Sequence, residues 1–257
     1  MSFGRIWAIA SNGFREVIRD RILYLIGFFA ILMIIVWRLL PQVAVGTADK
    51  ILLDFGLAAA SILGVIVAVF VGTGLINKEI EKRTILVLIP KPISRAEFII
   101  GKHLGLTGVL GVLVISVTAI YLGILSLSKI DYPLLSLVIS SFFLFLELSL
   151  LTAAALMFGV FTSSLLATFL SFGVYLVGHL SQDMVRLGKL TENPGFQKFT
   201  QGLYLVLPDL SRLDLKNDAV YGVLPSPLTL ATNALYGVVY TVLLLAIAIF
   251  IFSRRQF

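Results

Sequence analysis

Few residues in the apolar stretches of this chain can do chemistry, and Glu147 comes first among them. It is the one ionisable residue deep inside an apolar run, where a charged, unpaired carboxylate costs several kcal/mol. Ser140 falls two helical turns away on the same face, and Ser149 and Thr152 are near in sequence. Two readings stay open for Glu147. It contacts a proton, cation or substrate in a cavity, or it is a protonated or hydrogen-bonded structural group between helices. The only histidines, His103 and His179, fall at opposite membrane faces by hydropathy, so neither is expected to pair with Glu147. There is no cysteine, no HExxH and no paired-glutamate motif, so no metal site and no intramembrane enzyme is expected. Gly101-Lys102 is followed by His103, and Ala96 stands where a phosphate loop would need its first glycine, so the chain lacks that nucleotide motif.

A second chemistry-bearing stretch is NKEIEKRTILVLIPKPISRAEFIIGKH, residues 77–103. A connection between two spans needs only a few residues, yet this one is long and patterned. Lys78 to Leu88 predicts a short amphipathic helix with Ile80, Thr84, Val87 and Leu88 on one side. Pro90 and Pro92 end it, because proline cannot continue the backbone ladder. Ser94 then caps the next helix, with Glu97 three residues on completing a capping box. A rigid helix bracketed by charges suits docking into a partner's groove.

The elements that carry these residues follow from composition. Of 257 residues, 59% are hydrophobic and 13% charged, and mean hydropathy is +1.03. One soluble core cannot hide that much apolar surface, whereas a bilayer accepts it. The pattern predicts an all-α membrane protein occupying residues 1–257 as a single transmembrane domain. Six spans are expected at about 22–40, 55–76, 104–127, 134–158, 165–181 and 228–252. Pro41 is expected to stop the first. Residues 3–21 place Phe3, Ile6, Trp7, Ala10, Phe14, Val17 and Ile18 on one face and read as an interfacial amphipathic helix rather than a cleaved signal. A polar stretch from Gln182 to Pro227 reads as the largest loop.

Twelve of the 20 Lys and Arg residues, with five acids, share the N-terminal side of these spans; the opposite side has eight of each. The positive-inside rule therefore places both termini in the cytoplasm. The net charge of +6 comes from residues flanking apolar runs, so no nucleic-acid partner is expected. Ala60, Gly64, Ala68 and Gly72 repeat a small residue every fourth position, and Gly101 and Gly105 begin a similar stripe. Such stripes let helices approach closely, either within one chain or at a subunit or moving-helix interface.

Residues 78–102 resemble the cytoplasmic coupling segment of ABC transporter permeases of the type-2 exporter class. The resemblance rests on Lys78, Glu79, Glu81 and Lys82, then Thr84, Leu86 and Leu88, then Pro90, Pro92, Ser94 and Arg95, and finally Gly101 with Lys102. Two positions depart from it: Arg83 stands where a glycine is usual, and Val87 where a glutamate is usual. The turn Gly159–Ser164 is similar to the family's turn between spans four and five. Tyr204–Gly222 resembles the branch associated with multicopper-enzyme maturation and nitrous oxide reductase assembly. The resemblance implies a bacterial cytoplasmic (inner) membrane protein and two copies of a separate ATP-binding cassette ATPase, which would bind ATP and Mg. It also implies a second permease chain, as homodimer or heterodimer, and a coupling helix linking ATP hydrolysis to the spans. No cofactor is expected in this chain. A secondary transporter, or a force-transmitting assembly or signalling subunit without cargo, remains the alternative. The apolar spans favour a lipidic or amphipathic substrate, or none.

Overall fold

The computed structural model describes residues 2–44, 46–81, 94–191 and 194–254. Among these, the regular elements are helical. Helix α1 (Phe3–Val17) runs through a π-helical turn (Ile18–Ile22) into α2 (Leu23–Val43). Then come α3 (Ala48–Glu81), α4 (Arg95–Leu127), α5 (Leu134–Phe161), α6 (Ser164–Leu190), α7 (Pro194–Val206), a 3₁₀ turn (Leu210–Arg212), α8 (Lys216–Val220) and α9 (Pro227–Arg254). Six of these, α2 to α6 and α9, are long and apolar enough to cross a membrane.

Several helices outrun their apolar windows. Pro41 lies inside α2, which continues to Val43. A proline in the last turn removes only one bond of the ladder, and the Ala44 N–H closes the end on the Leu40 carbonyl at 2.9 Å. The helix of the second span continues through Lys78 and Glu79 to Glu81, so the separate helix expected from Lys78 is, over its first four residues, an extension of α3. The stretch from Gln182 is not the loop expected: α6 extends to Leu190, and α7, the 3₁₀ turn and α8 follow. Between α5 and α6 only Thr162 and Ser163 intervene, and the Thr162 hydroxyl closes the end of α5 on the Phe158 carbonyl at 2.8 Å.

α5 is the central post. Leu148, Leu150, Leu151, Ala153, Ala154, Ala155 and Leu156 are almost fully enclosed by α3, α4, α6, α8 and α9. α2 is the opposite case, with only Phe29 and Met33 buried. Its Leu23, Phe28, Ile31, Ile34, Ile35 and Leu39 face outward, as lipid permits and water would not.

The small-residue stripes are filled from within this chain. Gly64 of α3 faces Leu148 of α5, and Gly72 faces Ala155; Ala60 and Ala68 are buried. Along α4, Gly101 meets Ile6 and Ile9, Gly105 meets Ala10, and Gly108 meets Phe14. The order shows α1 running parallel to the first turns of α4, not lying apart from the bundle. A side chain at Gly105 would approach the Ala10 carbonyl oxygen to 2.7 Å, whereas Gly123 on the same helix has nothing within 4 Å. Gly105→Ala is therefore expected to lower stability by about 1–3 kcal/mol. Gly123→Ala should raise it by about 0.5–1 kcal/mol. Thermal unfolding of the two variants in one detergent checks the order.

Candidate functional site

The expected coupling segment divides at the limits of the described residues. Lys78, Glu79 and Glu81 continue α3, while Lys82, Arg83, Thr84, Leu86, Leu88, Pro90 and Pro92 lie outside the described residues. Its exit, Ser94–Phe98, is placed in detail. Ser94 has extended backbone angles and its Oγ accepts the Glu97 N–H at 3.1 Å. The Glu97 carboxylate accepts the Ser94 N–H at 2.8 Å. That is the capping box the Ser–x–x–Glu spacing predicts.

Glu97 does more than close its own helix. Its Oε1 accepts the Ser2 N–H at 2.7 Å, and the Arg5 guanidinium lies 3.7 Å from its Oε2. Arg95 donates to the carbonyls of Phe252 and Ser253, both at 2.7 Å. Phe98 stacks on Phe252 with ring centres 5.7 Å apart. The first two turns of α4 thus tie the start of α1 and the end of α9 into one knot, at the end of the bundle where α3 hands over to the segment. Only the cap was legible in sequence. The ties to Ser2 and Phe252 join residues about a hundred or more positions apart, and no local pattern announces them.

A second polar group lies between the helices. Glu147 is buried on α5, and His179 of α6 brings Nε2 to 3.4 Å from its Oε1. This overturns the expectation that His179 sits too far along the membrane to meet Glu147. Because α6 runs on to Leu190, His179 lies eleven residues from that end, and Glu147 lies thirteen from the start of α5 at the same end of the bundle. At about 1.5 Å per residue both are roughly 17–20 Å deep. His103 is elsewhere, with Nε2 at 3.1 Å from the Ser149 carbonyl. Thr152 turns its hydroxyl back on the Leu148 carbonyl at 2.8 Å, and Ser140 is buried on α5.

The rest of this cluster comes from the segment between α7 and α9. Asp214 Oδ2 lies 3.6 Å from His179 Nε2 and 3.3 Å from Lys216 Nζ. Lys216 Nζ donates to Ser61 Oγ of α3 at 3.2 Å. Desolvation alone would push the Lys216 ammonium down, but Asp214 and then Glu147 outweigh it and hold it above the usual lysine value. Among the described residues no group of three His, Cys, Asp or Glu is placed to hold a metal ion; here the lysine supplies the positive charge.

Asp209 anchors the same segment. Its carboxylate accepts from Ser181 at 3.0 Å, Gln182 at 3.1 Å, Ser211 at 2.5 Å and Arg212 at 3.1 Å. Its backbone N–H donates to the Tyr236 hydroxyl of α9 at 2.8 Å. Arg212 also reaches the Tyr204 hydroxyl at 3.0 Å. Leu210, Leu213, Leu215 and Ala219 are buried in the bundle. Gly178 makes room for this, since a side chain there would meet the Pro208 carbonyl at 2.8 Å.

Against known proteins, the family model described as ABC-2 family transporter protein matches residues 7–257. The chain belongs to that family. It is a multi-pass membrane protein and a permease subunit of an ABC transporter. No curated protein matches it.

In this permease, burial pushes the Asp209 carboxyl up, but hydrogen bonds from Ser211, Gln182, Arg212 and Ser181 outweigh that and hold it below the ordinary aspartate value of 3.8. A depressed carboxyl stabilises the fold above its unfolded value, and that contribution is lost as pH falls through the folded one. Asp209→Ala is expected to cost about 3 kcal/mol at neutral pH by stranding its donors. The gap in thermal midpoint between wild type and variant should narrow only on strong acidification, below about pH 4. Midpoints measured across a pH series check both.

Proposed function

We propose that this permease works with a separate ATP-binding cassette subunit, present in two copies, and that residues 78–95 carry the motion of that subunit into the spans. A second permease chain, identical or related, completes the assembly. ATP and Mg are bound by the partner, and this chain hydrolyses nothing itself. The work done is export or a transmembrane conformational change.

The observation that supports this reading most is the knot at Ser94–Phe98. A segment that transmits force must end on something stiff, or the push is absorbed locally. Here the exit of the segment is capped by its own carboxylate, held to Ser2 by Glu97 and held to α9 by Arg95. Displacing it moves α4, α1 and α9 together. With this end in the cytoplasm, as the basic residues require, the segment faces the compartment that contains ATP. The N- and C-termini are then cytoplasmic and the membrane is the bacterial inner membrane. The narrower multicopper-maturation branch has only the Tyr204–Gly222 stretch in its favour. A secondary transporter would gain from the Glu147–His179 pair, but the family match across residues 7–257 weighs against it.

The test is ATPase activity and transport, or another turnover readout, in the assembled complex. Leu86→Asp, Pro90→Ala and Arg95→Ala are each expected to leave the complex intact while the ATPase loses its response to the permease. An ATPase response unchanged by Leu86→Asp and Pro90→Ala would overturn the coupling role. Arg95→Ala separately tests the knot, because it removes the two bonds to the Phe252 and Ser253 carbonyls that hold α4 to α9.

A further inference from the structure

The buried cluster has an unbalanced hydrogen count that local geometry makes explicit. His179 Nδ1 lies 3.0 Å from the Tyr175 carbonyl oxygen. A carbonyl only accepts, so Nδ1 carries a hydrogen, and in a neutral ring Nε2 is a bare lone pair. That lone pair points at Glu147 Oε1, 3.4 Å away, and at Asp214 Oδ2, 3.6 Å away. Nε2 and Glu147 Oε1 are buried and have no other hydrogen-bond partner. Three acceptors facing one another repel. One proton between Oε1 and Nε2 removes the conflict, whether it is written as a carboxylic acid donating to the ring or as an imidazolium donating to the carboxylate.

Charge leads to the same count. The groups facing the pair are Tyr175 of α6, Ser61 of α3, and Asp214 and Lys216 of the α7–α9 segment, with Asp209 beyond them and already paired to Arg212. Without the extra proton, Glu147 and Asp214 stand against Lys216 alone and leave one buried negative charge. With it, the cluster is neutral.

We propose that Glu147 and His179 form a proton-binding site that holds one proton at neutral pH, and that this proton clasps residues 208–222 into the bundle. The segment presents both Asp214 and Lys216 to the pair, so its docking and the proton are linked. When the segment lifts away, water reaches Glu147, which can then ionise at little cost. The docked form therefore holds the proton more tightly than the released form. By linkage, docking is complete at low pH and declines as pH rises through the apparent value of the docked pair, by up to about tenfold in the docked-to-released ratio per pH unit. This holds whether or not the permease is coupled to an ATPase.

The chain has no native cysteine, so a single introduced thiol reports the state of the segment. Ala219 is fully buried on α8, and Val223, just beyond it, is 69% exposed. The experiment compares N-ethylmaleimide labelling of Ala219→Cys with that of Val223→Cys, in the full chain in lipid nanodiscs, from mildly acidic to mildly alkaline pH. The ratio cancels the pH dependence of thiol reactivity itself, and Val220→Cys replaces Ala219→Cys if the latter does not fold. The expected ratio is low at acidic pH and climbs on the alkaline side, approaching tenfold per pH unit. In a Glu147→Gln background the amide N–H donates to Nε2 permanently, so the ratio should stay low and flat. A flat wild-type ratio, or a wild-type slope retained in Glu147→Gln, would overturn the proposal. So would fast labelling of Glu147→Gln at every pH, since the carboxylate's charge rather than its proton would then hold the segment.

Discussion

Hydrocarbon offers no hydrogen bonds, so each polar group held between the helices of this permease must find its partner within the protein. That constraint decides more of the structure than hydrophobicity does. Apolar surface can face lipid as easily as a neighbouring helix, which leaves α2 almost bare. The polar groups cannot be left in this way. Asp209 gathers four side-chain donors, and the irregular backbone of residues 207–215 enters the bundle only where α5, α6 and α9 surround it. Non-helical backbone among spanning helices is tolerated where it is enclosed in protein or faces water, and Leu210, Leu213 and Leu215 pack this segment against the bundle.

The same constraint gives the molecule two polar centres of different character. At one end, the Ser94–Phe98 knot joins the entry to α1, the exit of the segment that follows α3 and the end of α9. Its hydrogen bonds are made to backbone groups at helix termini, which need partners in any case. It is suited to rigidity. Deeper in, the Glu147, His179, Asp214 and Lys216 cluster joins three spans to a segment that is not itself a span. Its contacts of 3.3–3.6 Å are longer than ordinary hydrogen bonds, and its balance depends on a proton. It is suited to change. The proposed coupling role, a push at one end converted into an event at the other, would use both, and α5, enclosed along most of its length, lies between them.

Sequence patterns that are local and obligatory were legible. The Ser94–Glu97 spacing forms the predicted cap, and the uncharged turn at Thr162–Ser163 is as short as GVFTSS implies. Six spanning helices follow from hydropathy alone. What failed was depth. The apolar window of the fifth span closes near Ser181, which set His179 at an expected surface, yet the two-residue turn brings it level with Glu147, fifteen residues into α6 against fourteen before the end of α5. A signal was present in Leu207, Leu210, Leu213 and Leu215, a leucine every second or third residue through a stretch otherwise read as polar loop. That spacing marks a segment with one face to bury. The termini joining at Glu97 and Arg95 left no such trace, because the bonds are to backbone carbonyls and N–H groups that every residue carries.

Which end of the bundle meets the proposed ATP-binding subunit is measured directly by site-specific crosslinking. The absence of cysteine lets one thiol at a time carry a short bifunctional crosslinker. Crosslinks to the ATP-binding subunit are expected from Leu86→Cys in the proposed coupling segment and from Ser253→Cys beside the knot, and none from Lys129→Cys or Val223→Cys at the other end. Crosslinks from Val223→Cys with none from Leu86→Cys would contradict the coupling role.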